Sequence, residues 1–267
     1  MMTYGTVARE TRFLIGLTIA VIAPFGFLLY LFPSSAGDYW AWEIAQPRTA
    51  MLVGSIYFAT SIYYVLLSRQ REWLLLQSSL RSLFVVAVWL LVAAMFHWQS
   101  FFPYRLMTLI WLITYYLPLM SFPILNRLQA ERGGNAEKPA GRQIIRGWRT
   151  WLILRAAIYG PTAILLFVFA PQVSAAWPWP IEPVNLRMFS GQIAVFGAYQ
   201  ALAMQDGFWQ RIRLFMLCTA MLATAHLVGL LLSGTPYDSS APVGALLPLM
   251  FVEWLATGLG MLWTHRK

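Results

Sequence analysis

The sequence predicts an all-α integral membrane protein of about eight transmembrane helices, arranged as two parallel four-helix repeats with both termini cytoplasmic. Three features lead there: a composition foreign to soluble proteins, apolar runs of spanning length, and a register of identities relating the two halves of the chain. Apolar residues make up 59% of the 267 residues and charged residues only 11%, against about a quarter charged in a soluble domain. With a mean hydropathy of +0.61, lipid rather than water is the expected solvent. A span takes roughly 20 apolar residues at 1.5 Å rise each, which leaves little chain for a soluble domain.

The first run, Phe13–Phe32, follows Arg9 and Arg12 and precedes the small residues Ser34, Ser35 and Ala36. Cleavable signal peptides share that pattern, but the internal repeat argues that this segment is retained. Thr49–Ser68 is the second run. The third, Leu83–His97, has a short apolar core, and its lead-in Trp73–Ser82, with Ser78, Ser79 and Arg81, reads as an amphipathic turn at the membrane surface. Leu106–Leu125, with Pro118 and Pro123, completes the first unit. In the second unit, Trp151–Ala170 carries Pro161, Met188–Gln205 carries Gln192 and Gln200, Leu214–Ser233 carries His226, and Gly244–Trp263 carries Pro248 and Glu253. Interhelical hydrogen bonding is the expected role of Gln200. The prolines and scattered glycines permit kinks and close helix approach.

At an ungapped offset of 137, Arg12 matches Arg149, Pro24 matches Pro161, Trp40 matches Trp177, Trp42 matches Trp179 and Gly54 matches Gly191, among twelve identities over positions 12–54. Two tryptophans, a proline and a glycine in one register exceed what apolar composition supplies by chance. Residues 1–125 are therefore read as the first repeat, 126–149 as a basic linker and 150–267 as the second repeat. Four spans return the chain to its starting side, so the repeats are parallel, related by a pseudo-twofold axis along the bilayer normal.

Orientation follows from the basic residues, which an inserting chain leaves mainly in the cytoplasm. The termini and the loops on their side hold 15 of the 19 Lys and Arg; the opposite loops hold Arg48, Arg105 and Arg187. Arg155 lies a turn inside the fifth span and is expected to snorkel towards the basic side. The net charge of +9 is thus a product of topology and gives no warrant for nucleic-acid binding. Lipid bilayer, specifically that of a bacterial inner membrane, is the expected surrounding. The linker, with Gly133, Gly134, Pro139 and Gly141, is expected to be cytoplasmic and mobile, either purely topogenic or a site for anionic lipid or a protein partner. A homo-oligomer is equally compatible.

The most distinctive local signal is a loop on the opposite side: Trp40-Ala-Trp42-Glu-Ile44 in the first half, Trp177-Pro-Trp179-Pro-Ile181-Glu-Pro183 in the second. It resembles an uncharacterised group of bacterial polytopic membrane proteins with a Trp-x-Ile/Leu-x-Pro loop before a transmembrane helix. The second half fits through Trp179, Ile181, Pro183, Arg187 and Gly191, whereas the first has Pro47 one residue late. The resemblance implies no activity. Paired tryptophans at a helix start suit an interfacial aromatic belt; an aromatic lid or an outer docking surface is the alternative.

Ionisable residues within the hydrocarbon are costly and tend to face a bundle interior or water. His226 and Glu253 stand out. His226 lies roughly 18 Å from the cytoplasmic end of its span and Glu253 roughly 14 Å from the opposite end of the next, in a core about 30 Å thick. That places them at similar depth, where they can pair. Such a pair serves a proton relay, a cation or a polar ligand; a hydrogen bond that fixes helix packing is the alternative.

Cys218 is the only cysteine and the histidines are His97, His226 and His265, which offers no cysteine cluster and no three-histidine metal site. No phosphate loop or hydrolase motif is present, and no cofactor, metal or catalytic residue is assigned. The sequence favours a transporter or channel for a small solute or lipid. A non-catalytic subunit of a membrane complex is the alternative, and an intramembrane enzyme using His226 and Glu253 comes third.

Overall fold

The computed structural model describes residues 7–131, 141–205 and 207–266. Eight long helices run through it: α1 (Arg9–Leu31), α2 (Pro47–Ser68), α3 (Trp73–Phe96), α4 (Leu106–Glu131), α5 (Arg146–Val168), α6 (Pro183–Ala203), α7 (Trp209–Leu232) and α8 (Leu246–Thr264). Among the described residues there is no strand, only two isolated bridges, Trp42 with Phe101 and Gln143 with Phe208. Seven of the helices, all but α6, are long and apolar enough to cross a membrane, which makes this an all-helical, multi-pass membrane protein. Helix α6 is 21 residues long but carries Asn185, Arg187, Gln192 and Gln200. Most of it is buried, and polar side chains at membrane depth are tolerated where protein surrounds them.

The helices pack as four close pairs, α1 with α2, α3 with α4, α5 with α6 and α7 with α8; contacts of α2 with α7 and of α3 with α6 join the halves. Burial follows from this plan. In the most apolar stretch of α2, 67% of residues are buried, against 22% in α4 and in α5, so α2 is central and α4 and α5 are peripheral. The peripheral helices turn large apolar side chains outward, among them Ile113 and Met120 on α4 and Ile158 and Leu165 on α5, as contact with lipid tails requires. The α1–α2 seam depends on two glycines. A Cβ on Gly26 would stand 2.5 Å from the Phe58 backbone nitrogen, and one on Gly54 2.7 Å from that of Tyr30. The backbones touch there, which any larger residue would prevent.

Hydrogen bonds recur at matching positions in the two halves. Helices α1 and α5 are offset by 137 residues at both ends, but α2 and α6 begin with Pro47 and Pro183, 136 apart. The register therefore slips by one residue between the tryptophans and the proline. That is why Pro47 falls late in an ungapped comparison, and it takes Gly54 and Gly191 out of equivalent positions. With the slip included, the bond from Val7 N–H to the Arg71 carbonyl has its counterpart in Ile144 to Gly207, and that from Phe102 to Ala41 in Asp238 to Pro178. Arg12 donates to the Ser68 carbonyl as Arg149 does to that of Met204.

Two matched contacts cross between the halves. Trp42 Nε1 donates to Asn185 Oδ1 at 2.8 Å, and Trp179 Nε1 to Thr49 Oγ1 at 2.9 Å. Arg48 donates to Ser233 Oγ at the end of α7, and Arg187, three residues further along its helix than the position equivalent to Arg48, to His97 Nε2 at the equivalent end of α3. A guanidinium suits the negative, carbonyl-bearing end of a helix, and Arg48 also holds the Leu230 and Pro236 carbonyls.

Three expectations change. The lead-in Trp73–Ser82 is the opening of α3 rather than a surface turn, and Trp73, Leu76, Gln77 and Ser79 are buried in the bundle. The expected linker loses its two ends to α4 and α5; residues 132–140 lie outside the described residues, and Arg142 accepts a hydrogen bond from Trp209 N–H. Gln200 is fully buried, but its amide has no hydrogen-bond partner among the described residues, so the expected interhelical bond is not made.

Candidate functional site: an intramembrane cavity

A cavity of about 140 Å³ lies inside the bundle, bounded by α1 to α4 and closed on the far side by α6 and α7. Trp42 and Trp111, edge to face at 5.4 Å, wall it off at the end that carries the tryptophan loops. A second void of about 30 Å³ shares Thr18, Tyr64 and Leu83 with the first and continues to Thr11 and Leu125. From Ile22 to Thr11, helix α1 follows the two voids for roughly 16 Å at 1.5 Å per residue, about half the thickness of a bilayer core.

The hollow has a local cause in the sequence. By the offsets above, Thr18, Ile22, Thr60 and Ser79 of the cavity wall stand where the second half has Arg155, Tyr159, Phe196 and Phe215. In the second half those larger side chains fill the space: Tyr199 stacks on Phe215 at 3.9 Å, Phe196 meets Phe215 at 5.3 Å, and Trp254 packs 4.5 Å from Phe196. Tyr63, at the position equivalent to Tyr199, hydrogen-bonds Ser79 instead.

The lining contains no Asp, Glu, Lys or Arg. A charged guest would therefore enter without a counter-charge, at a large desolvation cost. The hydroxyls of Thr18, Ser82 and Thr114 donate to carbonyls of their own helices. Tyr57 Oη accepts from Trp111 Nε1 at 2.9 Å and lies 3.0 Å from Tyr115 Oη. The site is an aromatic chamber with a few fixed polar points.

His226 and Glu253 sit in separate networks. His226 is buried behind the cavity wall, with Nδ1 2.6 Å from Ser55 Oγ, Nε2 3.4 Å from Gln192 Nε2 and its ring 4.4 Å from that of Phe251. Glu253 turns to α5, where it accepts from Tyr159 at 2.6 Å and lies 3.2 Å from Arg155 Nε; Thr257 also donates to it at 2.7 Å. Arg155, expected to snorkel, is buried instead and turned to the carboxylate of Glu253, which is itself partly exposed. Similar depth did not make His226 and Glu253 partners: their side chains turn to different neighbouring helices.

The loop tryptophans Trp40, Trp42, Trp177 and Trp179 are all buried, so they form neither a lipid-facing belt nor an open docking surface. Each pair packs edge to face, at 5.3 and 5.5 Å. The indole N–H of Trp42 and of Trp179 finds its partner on the other half, which holds each loop inward. Sequence reasoning missed Gln192, Tyr57, Tyr115 and Trp111 as wall residues. The available signal was the set of positions where the two halves differ in side-chain size. Comparison with protein-family models, with curated proteins and with solved structures gives no match. The class that fold and site define is a polytopic helical membrane protein with an uncharged, aromatic cavity among its helices.

Proposed function

We propose that this chain is a transporter for a small, uncharged solute, crossing a cell membrane eight times with both termini in the cytoplasm. The cavity carries the reading: an unfilled, uncharged chamber among helices from both halves, continued by a second void towards the end that bears the termini. Helix α6 counts as the eighth span, since 21 residues reach roughly 31 Å. Two parallel repeats from one duplicated unit are supported by the matched hydrogen bonds. The orientation is supported by what the three minority arginines do: Arg48 and Arg187 clasp helix ends across the halves, and Arg105 holds the Gly37 and Trp40 carbonyls. They are held by the fold, so they do not speak against the basic bias of the other side. The subunit reading drew on a tryptophan-rich outer surface and on a scarcity of buried polar groups; the loop tryptophans are buried, which removes the first of these supports.

The test is uptake of a mixture of neutral, low-mass solutes into proteoliposomes, read by mass spectrometry. Wild-type vesicles accumulate a solute that empty vesicles do not, and Thr60→Phe, which fills the chamber, removes most of that uptake while the protein still melts cooperatively. Uptake no greater than in empty vesicles across the mixture sinks the transport reading. In the same vesicles, a cysteine at Arg9 and one at Ser100 label from opposite sides; labelling from one side only overturns the topology.

A further inference from the structure

We infer that the cavity takes a neutral, ring-sized molecule bearing an O–H or N–H donor, and that Gln192 Oε1 is the acceptor that recognises it. The inference rests on the site described under the proposed function but concerns binding alone, so it stands or falls separately from transport.

A chain of hydrogen bonds behind the wall sets which way Gln192 presents its amide. Ser55 Oγ donates its one proton to the Leu52 carbonyl at 2.8 Å. Its 2.6 Å contact with His226 Nδ1 must then be one in which the imidazole donates, which puts the His226 proton on Nδ1. Nε2 is left as an acceptor, and the neighbouring Gln192 amide nitrogen, at 3.4 Å, is the donor it meets. Gln192 is thereby oriented with its carbonyl oxygen as the free end. That oxygen is buried and has no hydrogen-bond partner among the described residues, on a residue that forms part of the cavity wall.

The wall formed by α2 and α4 offers the complement. Tyr57 and Tyr115 share one hydrogen bond between two hydroxyls, and Tyr57 also accepts from Trp111. Whichever phenol donates to the other, the pair keeps one O–H proton in excess. Gln192 thus contributes an unmet acceptor at the wall and the tyrosine pair a donor, between aromatic walls that include Phe189 and Phe196. A buried acceptor left unmet by its guest is penalised, so a site of this kind discriminates against molecules that lack the donor. The size is set by the volume: about 140 Å³ is close to that of a protein cavity of about 150 Å³ that holds benzene.

Phenol and anisole separate the requirements, since both are ring-sized and neutral but only phenol donates. Binding of each to the full chain in nanodiscs, read by ligand-observed NMR against empty nanodiscs, should favour phenol by about tenfold in the wild type. Gln192→Leu should bring the two ligands to equal affinity. Ser55→Ala leaves the lining untouched but frees the His226 tautomer and hence the amide, and should reduce the preference part of the way. Equal binding of phenol and anisole to the wild type, a preference that survives Gln192→Leu, or saturable binding of neither would each overturn the inference. A phenol preference lost in Gln192→Leu, together with no solute uptake in vesicles, would uphold this site and reject transport.

Discussion

The two halves of this protein share a frame and differ in what the frame encloses. Around the second half, Arg155, Tyr159, Phe196 and Phe215 fill the interior with an ion pair and stacked rings; in the first, Thr18, Ile22, Thr60 and Ser79 leave a chamber. The indole bonds that cross to the opposite half are nevertheless equivalent, and the arginine clasps meet equivalent acceptors, Ser233 and His97, although the arginines themselves stand at different positions of their helices. The difference teaches that the frame does not need its interior filled. Contacts at helix ends and along the α2–α7 and α3–α6 seams hold it, which frees the interior of one half to become a site.

The largest effect expected from challenging this comparison comes from exchanging interiors. Phe196→Thr, which gives the second half the shape of the first, should lower stability by about 3 kcal/mol, because it leaves a cavity in a packed wall. Thr60→Phe makes the reciprocal change into existing space and should shift stability by less than about 1 kcal/mol. Thermal unfolding in one detergent compares them, and equal losses would contradict the idea that only the second half is packed.

Next come the arginine clasps. Arg48→Ala removes the donor to Ser233, Leu230 and Pro236 and should cost about 2 to 3 kcal/mol. Arg187→Ala should cost less, since Arg187 is only half-buried. The two should also part with pH. His97, just beyond α3, is held below its ordinary pKa by burial and then by the Arg187 charge. Its neutral form accepts from Arg187, so this clasp contributes fully above the unfolded pKa of about 6.5 and is lost as pH falls through the lower folded value. Melting temperatures of wild type and Arg187→Ala should therefore converge in mild acid, while the deficit of Arg48→Ala persists; parallel curves for both variants would disprove it.

The smallest effects belong to the indole bonds. Trp42→Phe and Trp179→Phe each remove one crossing hydrogen bond and should each cost about 1 kcal/mol. A loss confined to one of them, in the same melts, would show that the halves do not share the load.

The helical class and the multi-pass character were legible in the sequence because apolar length is a direct consequence of bilayer thickness. The start of α3 was not, because Ser78, Ser79 and Arg81 look like surface residues until α6 is placed beside them. The register slip at Pro47 was hidden for a simpler reason: an ungapped comparison cannot show it. Glu253 was recognised as an ionisable residue at membrane depth, though it is only partly buried, and its partner Arg155 was assigned to the membrane surface, since linear sequence gives depth and not the direction a side chain takes around its helix. The cavity was invisible until equivalent positions were compared, because an absence of volume has no motif.

The seam pattern also bears on how the molecule is made. Helix α2 takes its main partner outside its own unit in α7, and α3 in α6. During synthesis from the N-terminus, the first four helices would enter the membrane with those faces still uncovered, and the indole of Trp42 would wait for Asn185. The wall that holds Gln192, Phe189 and Phe196 arrives with α6, so the chamber of the first half is completed only when the second has been inserted.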